Sequence, residues 1–275
     1  MINSENSFWR NINRFKKDHN YLESFFWRTN KKLTKILNNY HKTNLSTKSW
    51  TILLYPWLYY YQSTLYDRWK IFSYRKYKYN KFFFKKKDFT IKSSNEFFYL
   101  SQDKDWNNYL YSKIQKFKRP IARKQNLLKI KLKEKTQSKH SVILFYILKF
   151  IRQLFIKSEI FYSDNLSFGK TNKIRNVYNF LILKIILMLN KKLPSKYEYD
   201  LYCRSKIFNL IRKQKTNNLK TFENFFFDQV AYDLPCELIE GFNIHSKYSA
   251  SFPKAKKIFT NFLHYNDINF KFYIS

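Results

Sequence analysis

The longest apolar runs lie in the middle of the chain. Val177 to Leu189 is apolar on nearly every side, broken mainly by Asn179 and Lys184. Lys173 and Arg175 precede it, and Lys191 and Lys192 follow it. A helix apolar all round is buried against protein or lipid, and a membrane span needs ~20 such residues. The run is shorter than that, so the pattern predicts a core helix whose ends emerge into a polyanion. Val142 to Ile156 predicts a second apolar helix, in which Lys149 and Arg152 make lipid burial costly.

Upstream, residues 1–45 space their apolar positions by three and four. Phe8, Trp9, Ile12 and Phe15, then Leu22, Phe25, Phe26, Leu33, Ile36 and Leu37, predict amphipathic helix. Trp50 to Phe72 is the most aromatic segment, and Pro56 predicts a break in it. Tyr59, Tyr60 and Tyr61, followed by Arg68 and Lys70, suit either core packing or base stacking. Tyr74 to Phe89 alternates aromatic and basic residues with period two, a strand pattern. Within it, Lys85, Lys86 and Lys87 form either a solvated loop or a phosphate clamp. Ser93 to Lys113 carries most of the local acid and predicts a helix start or spacer.

Lys113 to His140 is a basic arm with Glu134 as its single acid. Arg119, Arg123, Lys124, Lys129, Lys131 and Lys133 are neighbours in an extended chain, and such arms order on an anionic partner. A domain boundary is expected here. Residues 1–140 then form a basic, aromatic-rich extension, and residues 141–275 a helical core domain. In the latter, Pro194 and Ser195 open a helix ending near Arg212 and Lys213. Leu219, Phe222, Phe226 and Val230 mark another. A β-hairpin is expected through His245 to Phe252, before the basic Lys254, Lys256 and Lys257. The fold class is mainly α, with a short C-terminal β-hairpin.

Charge changes the picture most. The chain holds 53 Lys+Arg against 19 Asp+Glu, a net +34. Such an excess calls for a neutralising partner, nucleic acid first and an anionic membrane surface second. Lysine heavily outnumbers arginine, which favours point-charge phosphate contacts over base reading. Codon-biased composition, rich in Lys, Asn, Ile, Phe and Tyr with only 2 Gly, suggests an A/T-rich organelle genome. Cys203 and Cys236 fit a reducing compartment, and the N-terminus lacks signal-peptide and transit-peptide patterns.

The last third resembles a known family. Ile186-Leu187-Met188, Lys191-Lys192, Leu219 to Glu223, Pro235-Cys236-Glu237-Leu238, Tyr248 and Phe252-Pro253 are similar, in order and spacing, to bacterial-type small-subunit ribosomal protein seven. Asn190 stands in place of that family's turn glycine, and the glycine pair at the hairpin tip is missing. The resemblance spans residues 165–265. It implies a structural constituent of a mitochondrial ribosome that binds ribosomal RNA in the small-subunit head, beside neighbouring ribosomal proteins, in the mitochondrial matrix.

Enzyme chemistry is not expected. With glycines only at 169 and 241, no Gly-rich phosphate loop can form, and HExxH, CxxC and GxSxG motifs are absent. His19, His41, His140, His245 and His264 are scattered and suit surface or RNA-side positions. Glu237 and Glu240 suit a solvated or salt-bridged face. No cofactor, metal or small-molecule substrate follows. The alternative function is an accessory subunit of a mitochondrial inner-membrane respiratory complex, its apolar helices lying on anionic lipid. An intron-encoded nuclease lacks the metal-binding acids it needs.

Overall fold

The computed structural model describes residues 11–74, 88–118, 198–213, 221–250 and 268–275, with two short strands at 160–161 and 258–259. The described chain is mainly helical. It divides into two units, Met1–Ala122 with Glu198–Glu240, and Arg123–Tyr197 with Gly241–Ser275. The domain boundary expected near residue 140 lies outside the described residues, as do both central apolar runs and nearly all of the alternating Tyr74–Phe89 segment.

The first unit is built on a helical hairpin. Helix α1 (Ile12–His41) starts at Asn11, whose side chain accepts from the amides of Asn13 and Arg14. It ends at Lys42, held left-handed at φ 54°. Asn38 then fixes the turn. Its Oδ1 accepts from Thr43 Oγ1, the Leu45 amide and Trp50 Nε1, and its Nδ2 donates to the Leu45 carbonyl. Helix α2 (Thr47–Tyr74) returns antiparallel: Asn30 donates to Thr51, Gln62 to the Leu22 carbonyl, and Tyr66 to Asp18 at 2.6 Å.

Pro56 does not break this helix, contrary to expectation. A mid-helix proline costs about 3 kcal/mol. Trp50, Leu53, Leu54, Trp57, Leu58, Tyr61 and Leu65 are buried with no exposed surface. Burying each contributes roughly 1.5–3 kcal/mol, so the buried face outweighs one lost hydrogen bond. Of the three tyrosines, Tyr61 is core: it stacks on Trp57 and donates to Asp233 at 2.6 Å.

Helix α3 (Ser94–Leu100) and α4 (Lys104–Lys118) pack on α2, capped by Ser93 and Asp103 respectively. Helix α5 (Leu201–Arg212) begins at Asp200, and α6 (Phe222–Asp233) at Thr221. Helix α6 drives aromatic side chains into the hairpin: Phe222, Phe226 and Phe227 meet Phe25 edge-on, and Phe225 stacks on Trp69. A 3-10 turn, Cys236–Leu238, donates its first two amides to the carbonyls of Ile91 and Lys92.

In the second unit, α7 (Phe242–Ser249) occupies most of the segment expected to form the hairpin. The reason is periodicity. Phe242, His245 and Ser249 are all buried, a spacing of three then four that serves a helix face and not an alternating strand. The Gly241 carbonyl accepts from the amides of Ile244 and His245 and starts the first turn. Helix α8 (Ile268–Ile274) packs on α7 through Phe272, which meets Phe242 edge-on and stacks on His245. The described strands are β1 (Ile160–Phe161) and β2 (Ile258–Phe259), a parallel pair of two residues each.

Candidate functional site

Helix α2 is aromatic on most sides but carries one polar stripe. Tyr60, Ser63, Thr64, Asp67 and Arg68 follow i, i+3, i+4, i+7, i+8, so they share a face. Helix α4 carries a matching stripe, Lys104, Asn107 and Tyr111. The two stripes and the Ser101–Gln102 turn line one cavity of about 510 Å³. That lies within the usual size range of small-molecule sites, ~300–1,000 Å³.

The walls are held by their own polar groups. Arg68 Nε donates to Asn107 Oδ1 at 2.6 Å, and its Nη1 to the Asp67 carboxylate. Asn107 Nδ2 donates to the carbonyls of Ser101 and Asp103. Tyr60 and Ser101 share a hydroxyl hydrogen bond of 3.0 Å, and Ser101 Oγ also bonds the Phe98 carbonyl at 2.8 Å. Other groups are uncommitted. Among the described residues Arg68 Nη2, Lys104 Nζ, the Thr64 hydroxyl and the Gln102 amide have no side-chain partner. Asp67 is the one carboxylate among the described residues that line the cavity.

A second polar cluster is closed. Arg204, with no exposed surface, donates through Nε and Nη2 to Glu240 at 2.9 and 2.7 Å. Its Nη1 donates to the carbonyls of Ala231 and Leu234, and its Nη2 also reaches Cys236 Sγ. Tyr199 covers the guanidinium face at 4.9 Å. Burial, with Glu240 nearby, pushes the Cys236 thiol up to about 12, so it is no nucleophile at neutral pH. Burial likewise pushes Cys203 up. Both cysteines are free thiols. Glu240 is therefore salt-bridged as expected, but Glu237 is buried, its carboxylate accepting from the Ser94 amide and hydroxyl at 2.9 and 2.7 Å.

Lys85, Lys86, Lys87, Arg119, Arg123, Lys124, Lys131, Lys133, Lys173, Arg175, Lys191, Lys192, Lys254, Lys256 and Lys257, the expected phosphate-contacting residues, all lie outside the described residues. The surface placing of histidines fails at two positions. His245 is buried, and His41 donates from Nε2 to the Leu238 carbonyl at 3.0 Å. Among the described residues no group of His, Cys, Asp and Glu could hold a metal ion, and no helix is long and apolar enough to cross a membrane.

The motifs behind the ribosomal resemblance make different elements here. Pro235 leads into a 3-10 turn, and helix α7 takes most of the segment expected to form the hairpin. A family model described as LIC12162 family transferase matches residues 3–275. No curated protein and no solved structure matches the chain. The family match overturns the ribosomal-protein resemblance and, with it, the structural role in a mitochondrial ribosome, the ribosomal RNA and protein partners, and the expectation of no enzyme activity. A transferase moves a group from a donor to an acceptor, so the expected lack of a small-molecule substrate falls too. What misled was the charge: an excess of lysine demands counter-charge but does not say whose. The chain belongs to the LIC12162 family of transferases.

Proposed function

We propose that donor and acceptor meet in the cavity between α2 and the α3–α4 segment, and that Asp67 receives the acceptor's proton. One observation carries this: two facing polar stripes line an open cleft of about 510 Å³ and, among the described residues, leave several hydrogen-bonding groups without side-chain partners. Groups left pointing into a roomy cavity are the means by which a site orients a ligand.

In the transfer step the acceptor's oxygen or nitrogen forms a bond to the migrating group as the donor's bond to its leaving group breaks. The bonding pair departs with the leaving group, and the acceptor's proton goes to the Asp67 carboxylate. Arg68 pairs with Asp67 and fixes its orientation, while Asn107 holds Arg68 from the facing helix. Positioned proton transfer of this kind contributes about 10²–10⁴ in rate.

The test is to incubate the full chain with a panel of activated donors, with and without phosphate, and hydroxyl or amine acceptors, detecting products by mass spectrometry. Asp67→Asn should lower the rate by about 10²–10⁴. Gln102→Trp, placing an indole at an exposed position of the lining, should block substrate entry. Full activity in both variants places the chemistry elsewhere.

A further inference from the structure

We propose that the donor is held by a phosphate or diphosphate group, bound between Arg68 and Lys104; this rests on the cavity being the transfer site. The two cations reach it from facing helices, Arg68 from α2 and Lys104 from α4. The only acid in the described lining, Asp67, is already paired with Arg68. The lining therefore carries a surplus of positive charge, and Lys104 is exposed and has no partner among the described residues.

Arg68 is held in one orientation, with Nε committed to Asn107 and one Nη1 hydrogen to Asp67, and its Nη2 is left to donate. What remains is a set of separated single donors: Arg68 Nη2, the Lys104 ammonium, the Thr64 hydroxyl and the Gln102 amide. Scattered donors suit a ligand with many acceptor oxygens in several directions, which is a phosphate or diphosphate. The cavity is also far larger than a lone anion needs, leaving room for the transferred group beside it.

No glycine-rich loop contributes. Backbone amides cradle phosphate in such loops, whereas here side chains on two helices do so, on a chain holding only 2 Gly. Phosphate binding without the usual sequence signature follows from that substitution.

Calorimetric titration of the full chain with inorganic pyrophosphate tests the proposal, with malonate as the dicarboxylate comparison. Pyrophosphate should bind saturably and more tightly than malonate. Lys104→Gln should weaken it about tenfold, the worth of one hydrogen bond to a charged group. Lys48→Gln, at an exposed position outside the cavity, should leave it unchanged and so controls for the general positive charge. Arg68→Gln should weaken it similarly. If that variant fails to fold, the exposed Lys104 carries the test alone. The proposal is overturned by equal weakening in the Lys104 and Lys48 variants, by malonate binding as tightly, or by no saturable binding. Should transfer still require Asp67 and an open cavity while pyrophosphate neither binds nor inhibits, the transfer site stands and the phosphate subsite alone falls.

Discussion

Arg204 and Arg68 sit on helices of the same unit, and their guanidiniums meet opposite surroundings. Arg204 spends every nitrogen inside the protein, on Glu240, two carbonyls and Cys236, with Tyr199 across its face. Arg68 spends two nitrogens on the protein and leaves the third beside a cavity. A closed network has nothing left to offer a ligand, so its value is structural: Arg204 ties α5 to the end of α6 and the turn after it. An open one is pre-oriented by its protein bonds and still has a donor to give. The contrast separates two roles for one residue type, and each half can be broken separately.

The largest effect should come from the closed side. Arg204→Met leaves Glu240 buried without its partner, and breaking a buried pair from one side costs about 3–5 kcal/mol. Urea unfolding of Arg204→Met should show a loss of that order. The double variant Arg204→Met with Glu240→Leu should recover much of it, since no lone charge remains. A single variant as stable as the parent contradicts the closed network.

Next in size is a pH effect confined to the same side. Burial lowers His41 from its ordinary 6.5 to about 4, although its bond to the Leu238 carbonyl opposes the shift. The unfolded chain then takes up a proton near 6.5 that the folded chain refuses until about 4. This contribution is fully present above the unfolded value and is lost as pH falls through the interval. It amounts to about 3 kcal/mol at the acid end. His41→Phe should flatten the stability profile between those limits relative to the parent; parallel profiles contradict burial of the neutral ring.

The closed side was the less legible in sequence, although many of its helices were not. The three-four spacing of α1 was plain from Leu22, Phe25, Phe26, Leu33 and Leu37, α6 followed from its apolar face, and α5 from its basic end, although Asp200 caps α5 where Pro194 and Ser195 were expected to open it. Arg204 carries no local signal: its partners lie 27 to 36 residues away, at distances only the fold closes. Helix α7 stands where a hairpin was expected, its three-four burial spacing at Phe242, His245 and Ser249 serving a helix face. At Pro56 the local rule for proline yields to the buried face of α2, which overrides it. The cavity did leave a trace. Tyr60, Ser63, Thr64, Asp67 and Arg68 form a polar stripe at helical spacing in an aromatic segment.

The open side should register less in stability. Arg68→Gln breaks a pair whose side chains are 24% and 18% exposed, so it should cost more than the ~1 kcal/mol of a surface pair and less than the ~3–5 kcal/mol of the fully buried one. Lys104→Gln should be smaller still. Lys104 is exposed, occupies the first position of α4 and has no partner among the described residues. A cation at a helix N-terminus is also mildly unfavourable to the helix dipole, by about 0.3–1 kcal/mol. Its removal should therefore leave the unfolding midpoint unchanged or raise it slightly, while weakening pyrophosphate binding. A residue that costs stability where it stands and contributes to binding fits a site kept for a ligand. Loss of stability in Lys104→Gln comparable to Arg204→Met contradicts the division between a closed, structural arginine and an open, ligand-facing one.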